Sequence, residues 1–185
     1  MHSIYVSASD EFEMMGSGVR VYDETLGSFP PPRLASDASE LKISADELRH
    51  PLTEKARRIL LKAWTYAKKG QHSRAIATMR EGAVKVRSLI PYSHAFLGIE
   101  YVQTGHVKEA VPELKESTEL FPHDAAGHSN LALSLCLTGE LDGAEREAKL
   151  ALYLEPTLAS AAEIVQVIEE QKAHRDPSAK VAGNR

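Results

Sequence analysis

The sequence of 185 residues is short of the features that build membrane spans and disulfide-bonded scaffolds. Its single cysteine, Cys136, excludes an intramolecular disulfide and suits a reducing compartment. No apolar run approaches the roughly 20 residues that a membrane span needs. The first residues contain Asp10 and Glu11 and lack a basic start followed by an apolar core, so they do not look like a secretory signal. We therefore expect a cytoplasmic protein without membrane insertion, although a periplasmic or secreted chain whose signal had been removed would share these features.

The motifs of common enzyme active sites are also missing. The sequence has no phosphate-binding loop with a following Lys-Ser/Thr, no HExxH, no CxxC and no GxSxG nucleophile elbow. Four glutamates between residues 109 and 119 recur at helical spacing among lysines, which is typical of a solvated helix face. Cys136 has no base fixed beside it in sequence, so it is better explained as a small buried side chain than as a nucleophile. We expect a non-enzymatic protein that needs no cofactor.

The sequence does contain an internal repeat. One glycine recurs 34 residues later and 35 residues earlier, and an alanine five residues after it recurs at the same spacings. These positions are Gly70, Gly105, Gly139, Ala75, Ala110 and Ala144. Each glycine ends a helical pattern where a left-handed backbone is needed, and each alanine lets two helices approach closely. The period predicts an all-α chain of helix-turn-helix units, with Thr53 and Asp124 in place to cap two of the helices.

The repeat resembles the tetratricopeptide repeat. In the middle copy, residues 91–124, the family pattern is met at Leu97, Gly98, Tyr101, Gly105, Ala110, Ser117 and Pro122. The third copy, residues 125–158, has Leu135 in place of the aromatic residue. The first copy, about residues 54–90, has Lys62 where a large apolar residue is expected, and its second helix is predicted to run longer, from about Ser73 to Leu89. The resemblance implies a short right-handed solenoid of three repeats.

Outside the repeats the sequence changes character. Residues 1–43 contain three consecutive prolines and two isolated β-favouring runs, so we predict a disordered or extended tail. Residues 44–174 form the predicted helical domain. Residues 158–173 carry an apolar stripe on one side and glutamates on the other, as the terminal helix of a solenoid must, and they are predicted to cap the stack. Residues 175–185 are expected to be a flexible tail.

Charge is distributed unevenly along the chain. Residues 1–52 hold 4 Lys/Arg and 9 Asp/Glu, residues 53–90 hold 10 and 2, residues 91–174 hold 5 and 14, and the last eleven hold 3 and 1. A basic first repeat therefore lies beside an acidic body and an acidic tail, and such a field can steer partners by sign. Nucleic-acid binding by the basic repeat is disfavoured because the adjoining acidic regions would repel phosphates.

The resemblance also implies a binding surface. In the family, the first helix of each pair faces the concave side of the solenoid. On this basis the groove would be lined by Leu60, Trp64, Ala67, Lys68, Ala95, Ile99, Val102, Gln103, Ser129, Leu133, Cys136 and Leu137. This surface is largely apolar, which normally marks a binding site, and Trp64 is its strongest candidate anchor. In the alternative interpretation, the N-terminal tail or the terminal helix already covers it.

Two more specific possibilities are disfavoured. Family members that hold the acidic C-terminal tails of heat-shock chaperones use Lys, Asn and Arg at places that here carry Leu60, Trp64, Phe96, Ala126 and Asn130, so the resemblance does not extend to that clamp.

A metal site is the second possibility that the sequence disfavours. Histidines 94 and 128 occupy the same place in successive repeats, and His123 lies close by. Zinc usually needs three or four ligands, and no cysteine or HxxxH pair joins them. The family often has a bulky packing residue at this place, so packing is favoured over metal binding.

We therefore expect a protein-interaction module that binds a peptide or helix in an apolar groove. Two alternatives stay open. The chain could be a structural or self-associating scaffold, joined head to tail or with its own tail in the groove. It could also be a chaperone-like holder of secreted proteins, since its layout resembles the class II chaperones of type III secretion, which hold translocator segments in such a groove.

Overall fold

The structure, a computed structural model, describes residues 48–175. The predictions for residues 1–43 and for nearly all of residues 175–185 lie outside this part of the chain. Seven helices lie wholly within residues 48–175: α1 Glu54–Lys68, α2 His72–Lys85, α3 Ile90–Gln103, α4 Val107–Leu120, α5 Ala125–Leu137, α6 Leu141–Leu154 and α7 Ala159–Arg175. A short 3₁₀ turn, Arg87–Leu89, precedes α3. Residues 48–175 contain no strand, which confirms the all-α prediction.

The helices stack as three successive pairs. Within each pair the two helices pack along each other, and the second helix of one pair contacts the first helix of the next. The terminal helix α7 packs on both helices of the third pair. Each element therefore meets mainly its neighbours in sequence, which is the packing of a solenoid. None of the helices in residues 48–175 has the length and apolar character needed to cross a membrane.

The repeated glycines form the turn within each pair. Gly70, Gly105 and Gly139 have φ angles of 69°, 77° and 83°, and they are the residues with positive φ in the described chain. A residue with a Cβ would be strained in this conformation, whereas glycine adopts it readily. The 34- and 35-residue spacing seen in the sequence is therefore the spacing of these left-handed turns.

Two helices begin at the caps that the sequence predicts. The Thr53 hydroxyl accepts a hydrogen bond from the backbone N–H of Ala56 at 3.3 Å, at the start of α1. The Asp124 carboxylate accepts one from the N–H of Ala126 at 3.2 Å, at the start of α5. Each cap satisfies a backbone donor that the first turn of a helix leaves without a partner.

The predicted long second helix of the first repeat is wrong. Helix α2 ends at Lys85, and Val86 is extended, with φ −137° and ψ 98°. This extended residue redirects the chain so that Leu89 becomes fully buried beside Gly82, where a Cβ on Gly82 would lie 2.8 Å from a Leu89 methyl. The helix therefore ends early because the bend at Val86 allows Leu89 to be buried. Pro91 then falls in the first turn of α3, where its missing N–H costs no hydrogen bond.

Candidate functional site

The candidate groove is formed by equivalent residues of α1, α3 and α5. Residues three, four and seven apart lie on one face of a helix, and the same face recurs in each pair. We call this set the groove line: Leu60, Trp64, Ala67, Ala95, Ile99, Val102, Ser129, Leu133 and Cys136. Three further predicted residues, Lys68, Gln103 and Leu137, follow it at the C-terminal ends of the three helices.

The structure places these residues at different depths. Leu60, Ile99, Val102 and Leu133 are buried, as are the smaller members of the groove line. Trp64, Gln103 and Leu137 are half-buried, and Lys68 is exposed. Most side chains of the groove line are therefore buried in this structure.

Helices α3 and α5 are buried on every side. Ten of the 14 residues of α3 and 11 of the 13 residues of α5 are buried, against five of 14 in α4 and four of 14 in α6. A helix with one face toward water has an amphipathic pattern, and α4 and α6 have it. The faces of α3 and α5 that carry the groove line are thus as dry as the faces that pack against α4 and α6.

Trp64 joins the first and second pairs across the groove line. Its indole packs edge-on against the Phe96 ring, with centroids 5.8 Å apart and planes at 86°. The indole Nε1 is buried, yet it has no hydrogen-bond acceptor among residues 48–175. An unsatisfied buried donor costs about 1–3 kcal/mol, so an acceptor brought to this point would bind favourably.

The terminal helix covers the groove line at the third pair. The Ser129 hydroxyl lies 3.0 Å from the Ser160 hydroxyl, near the start of α7. Further along, the Lys172 ammonium donates to Asp142 and Glu145 of α6, each at 2.6 Å. Together with Lys149, this contact lowers the pKa of the Glu145 carboxyl to about 2. Helix α7 is thus tied to both helices of the third pair.

The two histidines at equivalent places pair with glutamates. His94 Nδ1 lies 2.8 Å from Glu113 Oε2, and His128 Nδ1 lies 2.7 Å from Glu147 Oε2. Sequence reasoning proposed packing here and missed these partners. The signal was present, because each glutamate follows its histidine by 19 residues in both repeats. Within residues 48–175, no three His, Cys, Asp or Glu side chains come together as a metal site would require.

His128 makes the more buried of these contacts. Its second ring nitrogen, Nε2, lies 3.2 Å from the Pro122 carbonyl oxygen. A carboxylate and a carbonyl only accept hydrogen bonds, so this arrangement favours the cationic imidazole, in which both ring nitrogens donate. Burial lowers the pKa of His128, but the hydrogen bonds to Glu147 and Pro122 outweigh it and raise the pKa overall. The ring links α5, α6 and the loop before α5.

A third histidine–glutamate contact joins the first two pairs. His72 Nδ1, at the start of α2, lies 2.9 Å from Glu100 Oε2 on α3. Glu100 is 1% exposed. Burial raises the pKa of this carboxyl, and the hydrogen bond from His72 opposes part of that rise. This contact is structural, since it ties neighbouring repeats.

The first pair is basic on its outside. Its two acids are engaged locally, Glu54 with Arg58 at 3.0 Å and Glu81 with Lys85 at 3.6 Å. The other ten charged side chains of residues 53–90 are all Lys or Arg. An acidic ligand would therefore approach this end of the solenoid preferentially.

Two of these basic residues flank the groove line. Arg57 lies one turn before Leu60, and Lys68 lies one turn after Trp64, on the same face of α1. The arrangement is an apolar line with a cation at each end of its first helix. It suits a segment that combines apolar and acidic residues.

Comparison with known proteins identifies the fold. No protein-family model matches the chain, and no curated protein matches it in sequence. The first TPR domain of Spaghetti (RPAP3), bound to an HSP90 peptide, has a TM-score of 0.60 at 19% identity, over 67% of this chain and 98% of that one. The Sgt2 TPR domain from Aspergillus fumigatus has a TM-score of 0.61 at 14% identity, over 68% and 85%. A structure of MamA MSR-1 has 0.57 at 24% identity, over 64% and 67%.

These similarities define first a class, the helical-repeat proteins built from stacked helix pairs. The chain has the right-handed tetratricopeptide-repeat fold, which confirms the resemblance seen in its sequence. At these identities the similarity establishes the fold, and the residues of the groove must be interpreted from their own chemistry.

Proposed function

We propose that this protein is a non-enzymatic protein-interaction module, and that its groove line binds an extended peptide or a helix of a partner protein. Three features support the proposal: an apolar line across three helices, an aromatic anchor within it, and flanking cations on α1. Peptide grooves gain affinity from a few such anchors.

The observation that carries the proposal is the indole of Trp64. Its Nε1 is a buried donor that lacks an acceptor in the described chain. Every residue of a peptide has a backbone carbonyl, which is the acceptor this donor needs. A ligand seated on the Trp64–Phe96 contact would supply apolar area and one such carbonyl together.

The comparisons agree with this kind of function. The first RPAP3 domain is bound to the HSP90 peptide SRMEEVD, and the second RPAP3 domain to the HSP70 peptide SGPTIEEVD. The present chain has apolar residues such as Leu60 and Phe96 where the clamp for acidic chaperone tails is charged or polar. We therefore propose a ligand held chiefly by apolar side chains.

The test uses peptides selected from a displayed library of random dodecapeptides on the immobilised full chain. Trp64→Ala should weaken the selected peptides by at least about tenfold, the effect of losing about 1.4 kcal/mol. Tyr153→Ala is the matched control, because Tyr153 is an exposed aromatic residue on α6. It should leave affinity unchanged, and circular dichroism should show the same helical content in both variants.

Trp64→Phe separates the hydrogen bond from the packing. This variant keeps an aromatic ring and removes the unsatisfied donor, so the free protein should not lose hydrogen-bond stability. Peptide affinity should nevertheless fall severalfold, since a net hydrogen bond contributes about 0.5–1.5 kcal/mol. If Trp64→Ala and Tyr153→Ala bind the selected peptides equally well, the groove line is not the binding site.

A further inference from the structure

We propose that the N-terminal segment, residues 1–47, binds the groove line of its own chain and competes there with partner peptides. This inference rests on the proposed function, because it takes the groove line to be the peptide site. It identifies the occupant of that site when no partner is bound.

The first support is the burial of apolar groove-line residues that the terminal helix does not reach. Ala95 and Ile99 are 3% and 5% exposed. The terminal helix packs on the third pair, through Ser160 and Ser129 for example. Ala95 and Ile99 lie on the second pair. The terminal helix therefore does not account for the burial of Ala95 and Ile99.

The second support is where the described chain begins. The His50 carbonyl accepts a hydrogen bond from the Tyr92 hydroxyl at 2.5 Å, and the His50 ring packs edge-on to Phe121 at 5.3 Å. Tyr92 precedes Ala95 and Ile99 by three and seven residues, so it lies on the same face of α3. The preceding 47 residues thus enter beside the end of the groove line.

This segment is long enough to cross the groove. Three helices packed about 8–10 Å apart span roughly 20 Å, which about seven residues of extended chain can cover. The entry point at His50 requires no long linker. Reach therefore sets no obstacle to binding within one molecule.

The third support is chemical complementarity. Residues 1–47 hold nine Asp/Glu and three Lys/Arg, while residues 53–90 hold two and ten. The segment also has an apolar run at residues 4–6, which suits the apolar line. Its acidic residues suit Arg57 and Lys68, which flank that line on α1. An acidic and apolar segment is the ligand that this groove favours.

An intramolecular occupant has a regulatory consequence. A partner peptide can bind only the fraction of molecules whose groove is open, so its apparent dissociation constant rises by the inverse of that fraction. A partner peptide then binds only by displacing the N-terminal segment from the groove line. Any change that weakens the segment's contact would strengthen partner binding.

Energy transfer from the single tryptophan tests the proposal in the full chain. Trp64 is the donor, and the acceptor is a naphthalene sulfonate attached to Ser17→Cys in the native protein, with the buried groove-line residue Cys136 left unchanged. Residue 17 lies 31 positions before residue 48, where the described chain begins, so an unbound flexible segment would hold it about 30 Å from that point on average. Binding in the groove should give strong transfer that is independent of protein concentration and is lost in denaturant.

A pair of variants locates the contact. Arg57→Gln with Lys68→Gln should reduce the transfer toward its denatured value, because it removes the cations that flank the groove line. The control is Lys108→Gln with Lys115→Gln, two exposed lysines of α4, which should leave the transfer unchanged. Both pairs remove two positive charges, so only the position of the charges differs.

Three results would overturn the proposal. Transfer equal to the denatured value means that the segment is not near Trp64. Transfer that rises with protein concentration means that a second copy is the occupant. Equal transfer in both variant pairs means that the segment lies elsewhere. Binding of a fluorescent selected peptide, followed by polarisation, tests the proposed function separately, because it does not depend on the acceptor at residue 17.

Discussion

At the scale of single residues, close packing within each pair is set by complementary sizes at two equivalent places. A Cβ built on Gly98 would lie 2.5 Å from Leu114 Cγ, and Leu114 is fully buried. In the third pair the corresponding residues are Ala132 and Ala148, both buried. The second pair thus combines glycine, which has no side chain, with a large leucine, whereas the third pair combines two small alanines.

This complementarity predicts the sign of two substitutions. Gly98→Ala should destabilise the protein by about 1–3 kcal/mol, because the added methyl group overpacks a site that cannot yield. In a Leu114→Ala background the same change should be neutral or stabilising, since it recreates the Ala–Ala combination of the third pair and helps to fill the cavity. Urea unfolding of the four variants measures the coupling. A Gly98→Ala effect of equal size in both backgrounds would contradict it.

The residue scale also shows what the sequence could predict. Gly70, Gly105 and Gly139 predicted the turns, because a backbone with positive φ favours glycine and these glycines recur at a nearly constant spacing. The partners of His94 and His128 were missed, because a bond across 19 residues is visible only when two helices are already paired in space. The spacing itself was in the sequence.

At the scale of helices, local pattern and tertiary packing disagree in one place. The periodicity of residues 73–89 favours one continuous helix, but helix α2 ends at Lys85 and the backbone changes direction at the extended residue Val86. The local sequence does not reveal that burying Leu89 beside Gly82 stabilises the fold more than extending the helix by four residues would. Helix positions followed from the repeat, whereas this end depended on a contact between helices.

The pairing of α5 with α6 should depend on pH through His128. Its pKa is raised in the folded protein, where the ring bonds Glu147 and Pro122. A raised folded pKa stabilises the fold fully below the unfolded value near 6.5, and this contribution is lost as pH rises through the folded pKa. His128→Gln should therefore cost most, about 1.5–3 kcal/mol, in mildly acidic solution and less in alkaline solution.

Urea unfolding of His128→Gln and the unmodified protein across this pH range measures the difference. His94→Gln is an internal comparison, because the hydrogen bond to Glu113 likewise raises the pKa of His94, and its side chain is more exposed, at 26% against 7%. It should show the same sign with a smaller amplitude. A cost of His128→Gln that grows with pH would refute the assigned charge state.

At the scale of the whole molecule, the sequence predicted which residues would line the groove but not whether those residues are exposed or buried. The family resemblance located Trp64, Ile99 and Leu133 on one surface, since equivalent residues of stacked repeats share a face. It could not tell that Ile99 and Leu133 are buried. Burial depends on what lies over a surface, and a repeat pattern describes only what lies beneath it.

The charge asymmetry offers a second possible use of the same molecule, head-to-tail association. Residues 53–90 hold ten Lys/Arg and two Asp/Glu, and residues 91–174 hold five and 14. The terminal helix α7 presents Glu163, Glu169 and Glu170 to solvent at the far end of the stack. A contact between opposite ends is heterologous, so each molecule added leaves a free end and association continues with concentration.

Sedimentation separates this association from binding of the N-terminal segment within one chain. If molecules join end to end, the average mass at low salt should rise with concentration and fall as salt screens charges beyond about 8–10 Å. Glu163→Gln, Glu169→Gln and Glu170→Gln together should abolish that rise, because they neutralise the acidic end without touching the groove line. A mass that stays monomeric at every concentration and salt would exclude the scaffold and leave the basic end of the solenoid to the acidic segment of its own chain.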